Sequence, residues 1–238
     1  MRTRAALLIL GDGRLPSGGY AHSGGLEQAI RQGWVNDVDG LRDFLRGRLH
    51  TTGLMNAAFA AAAWHSVGDR SDAEARAGSG VITSEVEAAL AELDAELLAR
   101  TPSPALRRIG AWLGTLLLRS MRSIHPHPLL EEFPKGLQQP LVYGVIGRVL
   151  GLDAADTAAV VLHEAVTGPA TAAVKLMHID PFQAHGAVID LAADLDAAAD
   201  KAAELGRGSA AEIPALSAPL SDFASELHEG DNVRLFAS

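Results

Sequence analysis

Cysteine is absent from the 238 residues, which excludes disulfides, thiolate catalysis and any zinc site built on sulfur, and fits a reducing compartment. Aromatic residues are scarce at 5%, so the 48% apolar fraction is mostly Ala, Leu and Val, a composition suited to close helix packing. Positive charge is in deficit too. With 20 Lys and Arg against 29 Asp and Glu, the formal charge of -9 leaves no basic face with which to displace counterions from nucleic acid. A protein partner is the expectation, with no nucleic acid. No apolar stretch reaches the roughly 18 to 20 residues of a membrane span. The opening MRTRAALLILGDG carries an apolar run too short for a signal peptide and lacks its cleavage pattern. These absences read as a cytoplasmic protein with no membrane association.

What is present is helical periodicity. From Asp37 the residues Leu41, Phe44, Leu45, Leu49, Met55, Phe59 and Ala62 fall mostly at three- and four-residue steps, which predicts a long helix to about Trp64. HSVGDRSDAEARAGSG is rich in Gly, Ser and charge and reads as a connection. Ser84 with Glu87 forms a capping box ahead of Val86, Leu90, Leu93 and Leu97. TPSPAL stops that helix and starts the next, with Ser103 as cap and Pro104 in the first turn. HPHPLLEEFPKG reads as a long ordered loop, and Pro140 opens a helix through Leu150. Asp153 with Asp156 starts a helix toward Met177 that Gly168-Pro169 should kink or break. Asp180-Pro181-Phe182-Gln183 caps a last helix through Val188, Leu191 and Leu195. After Leu205 periodicity fades, so the remainder reads as an extended tail with at most one short helix. The expected fold is all-α, a single-domain bundle of about seven to ten helices, with a helical domain over 1–205 and a partner-binding tail over 206–238.

LPSGGYAHSGGLE, residues 15–27, is the segment that raises a functional question. It is not a P-loop, because Gly19 and Tyr20 stand where Lys and Ser/Thr must be. Nor is it a dinucleotide fingerprint, since Gly11-Asp12-Gly13 is followed by Pro16 at the third glycine's place. Ala21-His22-Ser23-Gly24-Gly25 is one residue from G-x-S-x-G, which makes a small helical serine hydrolase using Ser23 one alternative, although that elbow needs a sheet. The bland reading is a turn capping the following helix. His125 and His127 offer two imidazoles to nickel, a second alternative, but two ligands fall short of a site. His163-Glu164 begins a zinc-protease motif that fails at Thr167. Lys175 sits where a helix C-terminus favours a cation. Arg234 reads as a solvated charge on its own, whereas Leu235 and Phe236 beside it look like apolar anchors.

The order of several blocks resembles the urease accessory protein F family. Residues 15–27 resemble that family's opening motif, followed by ELDAELLARTPSPALRRIGAWLGTLLL at 92–118, QQPLVYGVIGRVLGL at 138–152, GPATAAVKLMHIDPFQAH at 168–185 and the closing RLFAS. One departure is Ile179-Asp180-Pro181-Phe182, where the family usually has Gly-Gln. The resemblance implies an all-α protein with no catalytic residues, resident metal or cofactor. It implies a homodimer that binds accessory protein D or H, recruits and gates the nickel-carrying GTPase, accessory protein G, and docks on apo-urease. Carried over by position, Tyr20 and Lys175 fall on the surface engaging the GTPase, and Arg234 on the partner-binding tail with Leu235 and Phe236.

Overall fold

Helices begin where a side chain can accept the free N–H groups of a first turn. Asp37, for example, accepts from Gly40 N at 2.7 Å and opens the helix that begins at Val38. In chain order the elements are α1 (Arg4–Leu10), α2 (Leu26–Arg31), α3 (Val38–Arg48, the helix Asp37 opens), a π-helical turn (Leu49–Gly53) and α4 (Leu54–Ser66). Then come α5 (Ser84–Ala99), α6 (Pro104–Ile124), α7 (Pro128–Glu132), α8 (Gln139–Val149) and α9 (Ala154–Leu176). α10 (Pro181–Ile189), α11 (Ala192–Leu205), a 3-10 turn (Ala210–Glu212) and α12 (Pro219–Glu229) complete the order. The computed structural model describes residues 4–18, 23–68 and 82–229, and these contain no strand. The fold is all-α.

Most of the caps read from the sequence are in place. Ser103 accepts from Leu106 N at 3.2 Å, Asp153 from Asp156 N at 2.8 Å and Asp180 from Phe182 N at 2.8 Å. The cap of α5 is Thr83, one residue before the expected Ser84, because Thr83 has the extended backbone and accepts from Val86 N. The HPHPLLEEFPKG stretch contains a short helix: His127 Nδ1 accepts from Leu129 N at 3.2 Å, and α7 buries Leu129 and Leu130. The helix from Asp180 ends at Ile189 and a second one begins at Ala192, so that α10 packs on α3 and α9 while α11 packs on α4 and α9.

α4 is the centre. It carries Phe59 and the buried run Ala60–Ala63, with α5, α8, α9 and α11 packed around it. Helices approach this closely because the facing residues are small: Gly144 of α8 sits against Ala60 and Ala63, and Gly206 against Ala61.

Of the kink or break expected at Gly168-Pro169, no break occurs: α9 runs from Ala154 to Leu176 with Pro169 inside it. Proline removes the N–H that would bond Ala165 O. That carbonyl is satisfied instead by Arg48 Nε at 3.0 Å, from 117 positions away in the chain.

The stretch after Leu205, expected to be extended with at most one short helix, folds back on the body. Ser209 and Glu212 form a capping box over the 3-10 turn. Arg100 holds the carbonyls of Ala210, Ala211 and Ile213. α12 then lies against α2 and α6. Its anchor is Glu226, whose carboxylate accepts the Ser103 hydroxyl and the Ala105 N–H at the start of α6. The helix N-terminus favours an anion, and these two bonds hold the Glu226 carboxyl below its ordinary range. A depressed carboxyl contributes stability above its unfolded pKa, and that stability is lost as pH falls through its folded value. Acidification below about pH 4 should therefore loosen α12 from α6. Asp222, pushed up by burial and by Glu226, titrates in the opposite sense. Glu226→Gln at neutral pH isolates the effect, and amide exchange over 219–229 should then rise several-fold relative to α4.

Candidate partner-binding site

The described glycines of residues 15–27 are placed by what they touch. Gly18 has a φ of 84°, and a Cβ there would stand 2.8 Å from Leu116 Cδ1 of α6. Gly24 has a φ of 60°, and a Cβ would stand 2.8 Å from Cζ of Arg48. Both need a backbone that L side chains rarely adopt, at points where a neighbouring side chain would have to shift to admit a Cβ. Gly25, also left-handed, faces Ala224 and Ser221 of α12.

Three polar anchors hold the segment. The Ser120 hydroxyl of α6 donates to Pro16 O. Ser17 is buried and hydrogen-bonded to Tyr143 of α8. Arg48, the last residue of α3 before the π turn, donates from Nη1 to Gly24 O at 3.0 Å. Downstream, Ser23 is fully buried, and its Oγ accepts from Glu27 N at 3.4 Å while its carbonyl accepts from Leu26 N at 3.2 Å. Ser23 thus holds the turn into α2, which is the bland reading. An elbow for hydrolysis needs an exposed hydroxyl on a strand-to-helix turn, and the described residues supply neither. Glu27 is buried and held by Arg31 at 2.8 Å.

Behind the segment lies a partly buried polar network centred on Tyr143. Tyr143 donates to Glu164, Gln139 Nε2 reaches the same carboxylate at 3.3 Å, and Arg48 lies near enough to favour its charge. Burial nonetheless pushes the Glu164 carboxyl up, and burial followed by the Glu164 charge pushes the Tyr143 phenol well up. Cavities of about 110 and 480 Å³ are both lined by Glu164 and Tyr143. His163, half-buried beside the larger one, has its pKa lowered by burial and is neutral near pH 7. The described residues include no group of three His, Cys, Asp or Glu side chains able to hold a metal. His127 is engaged as a helix cap, and His125 is exposed at the end of α6.

Of the residues singled out from sequence, Lys175 is exposed in the last turn of α9, as its placement near a helix C-terminus predicts. It stands about 15 Å along that helix from Ala165, at 1.5 Å rise per residue. Tyr20, Arg234, Leu235 and Phe236 lie outside the described residues. Sequence reasoning missed Arg48 and Tyr143 and met Glu164 only inside a failed motif. One signal was available: a proline within a helix leaves a carbonyl that needs a donor from elsewhere.

Apolar surface flanks the segment. Trp112 of α6, beside Gly18, is 49% exposed, and Leu220, Phe223 and Leu227 form an outward stripe on α12, whose inner side meets Gly25. No helix among the described residues is long and apolar enough to cross a membrane.

Helices packed through glycine and alanine, with the described ends of a glycine-rich segment secured on them, define an all-α protein. Comparison with known proteins narrows this. The UreF family model matches residues 35–192. The chain is 37% identical over 238 residues to the urease accessory protein UreF of Mycolicibacterium vanbaalenii, and the match covers all of both chains. It is 32% identical, again over the full length of both, to the protein of that name from Mycobacterium tuberculosis H37Rv. The chain belongs to the UreF family of urease accessory proteins, a non-catalytic family.

Proposed function

We propose that this chain is a cytoplasmic adaptor in the assembly of nickel urease. As a homodimer it binds accessory protein D or H, and together they recruit and gate the nickel-carrying GTPase, accessory protein G, for nickel insertion into apo-urease. Nickel is cargo of the assembly, so the adaptor needs no cofactor of its own. The observation that carries this reading is the anchored glycine-rich segment, shaped at both ends and flanked by exposed apolar side chains. Exposed apolar surface of this kind marks protein contacts.

In this reading Tyr20 and Lys175 meet the GTPase. Tyrosine is a rigid contact with a polar tip, and an exposed ammonium suits an acidic facing surface. Arg234 offers a planar fork of donors to the D or H protein, with Leu235 and Phe236 as apolar anchors. Tyr20→Ala should weaken recruitment of the GTPase about tenfold or more while leaving the melting temperature in place. Deleting Arg234 to Ser238 should weaken the complex with D or H instead. Size-exclusion chromatography with light scattering on the chain alone and mixed with each partner measures both, and gives the mass of the dimer. Unchanged complexes from both variants would reject these residue assignments, and a failure of the intact chain to bind either partner would reject the adaptor.

A further inference from the structure

We infer that Arg48 is a latch that ties the position of the glycine-rich segment to the proline-interrupted turn of α9. The inference concerns the chain alone and stands whether or not the segment meets the partners proposed above.

The geometry starts from two carbonyls with no helical or strand partner of their own. Ala165 O lacks its usual donor because residue 169 is proline. Gly24 O belongs to a turn in the left-handed region, where the backbone leaves regular hydrogen bonding. One guanidinium serves both, with Nε on Ala165 O and Nη1 on Gly24 O, each at 3.0 Å. The planar fork fixes the angle between its donors, so the two carbonyls are held at one separation and orientation. Gly24 presses against the face of that guanidinium so closely that a Cβ would meet Cζ, Nη1 and Nη2 within 3.1 Å. The Gly24 backbone and the cation therefore move together.

The surroundings make the arrangement hard to replace. Glu164, one residue before Ala165, supplies the opposite charge, and burial otherwise disfavours the Arg48 cation. Immediately after Arg48 the helix passes into the π turn, whose Gly53 lies against Leu162 and Ala165 of α9. π turns inside α-helices recur at functional sites, and here the turn marks the place where α3 gives way to α4 beside the latch. A lysine could keep the charge but offers a point donor instead of two fixed ones. Displacement of the segment at Gly24 would thus be transmitted to the middle of α9, and movement of α9 to the segment.

The test is amide hydrogen exchange on the full chain, as wild type, Arg48→Met, Arg48→Lys, Pro169→Ala and the double variant Pro169→Ala with Arg48→Met. Arg48→Met should raise exchange at Leu26, Glu27 and Ala29 about tenfold while α8 amides change much less, since losing a bond to a charged group frees one local unit. Arg48→Lys should shift the same amides in the same direction. Pro169→Ala restores an N–H for Ala165 O. Arg48→Met alone should also raise exchange over 166–173, whereas in the Pro169→Ala background it should still loosen residues 26–29 but leave 166–173 unchanged. Exchange at 26–29 that stays at the wild-type level in both Arg48 variants would overturn the inference, as would a rise spread evenly through every helix. If Arg48→Met does not fold, Arg48→Lys alone decides between these outcomes.

Discussion

Arg100→Met should destabilise the isolated chain by about 3 kcal/mol, the scale for removing a buried charged donor and leaving its partners unpaired. Arg100 ends α5 with a side chain only 11% exposed. Its Nε donates to Ile213 O at 2.9 Å, Nη2 to Ala211 O at 3.0 Å and Ala210 O at 3.4 Å, and Nη1 to Glu96 O at 2.9 Å and to the Glu96 carboxylate. The guanidinium also lies 5.7 Å from the centroid of the Phe59 ring at the centre of the fold. Methionine fills much of the volume, so the loss is polar: the carbonyls of Ala211 and Ile213 lose the donor that ties them to α5. For a chain of this size that corresponds to a fall in melting temperature of roughly 6 to 12 °C. Calorimetry measures the total, and exchange over 206–216 shows where it falls. Arg100→Lys should recover the charge and part of the packing but only a minority of the bonds, and should lie between the two. A loss within experimental error for both variants would mean that residues 210–213 are held by their apolar contacts alone.

Local chemistry was legible in the sequence. Asp37, Ser103, Asp153 and Asp180 were readable as caps because a cap needs only its own next few residues. The shift from Ser84 to Thr83 shows the limit of that reading, since adjacent hydroxyls compete and the backbone conformation decides. How the helix continues past Pro169 was not readable, because the donor that satisfies Ala165 O comes from α3, which no local pattern reveals. α12, allowed for only as one short helix in an extended tail, was not placed against the body for a different reason. Its inner side is formed by small residues, Ala224 and Ser225, while Leu220, Phe223 and Leu227 point outward, so burial and hydropathy disagree along it. The glycine-rich segment announced a special backbone, and the structure explains Gly18 and Gly24 by their contacts. The network behind it was not readable, because Arg48, Tyr143 and Glu164 lie on three separate helices.

Gly144→Ala tests the packing on which this whole arrangement rests, and two opposing effects must be weighed. In a helix interior alanine is favoured over glycine by about 1 kcal/mol. Against that, a Cβ on Gly144 would run into Ala60 O and stand 2.8 Å from Ala63 Cβ and 2.9 Å from Trp64 N. None of these atoms is the end of a flexible side chain. α4 cannot retreat, because α5, α9 and α11 occupy its other sides. Overpacking against backbone atoms falls at the upper end of the usual range, about 3 kcal/mol, so the clash wins and the net loss should be about 2 kcal/mol. Gly47 of α3 is the matched control, since a Cβ there meets nothing within 4 Å. Gly47→Ala carries the propensity gain without the clash and should stabilise by up to about 1 kcal/mol. Chemical denaturation of both variants should therefore move the midpoint in opposite directions. If Gly144→Ala instead gains stability as Gly47→Ala does, α8 and α4 are not in backbone contact, and Tyr143, the neighbouring residue that anchors Ser17, is not held where the shape of the glycine-rich segment requires it.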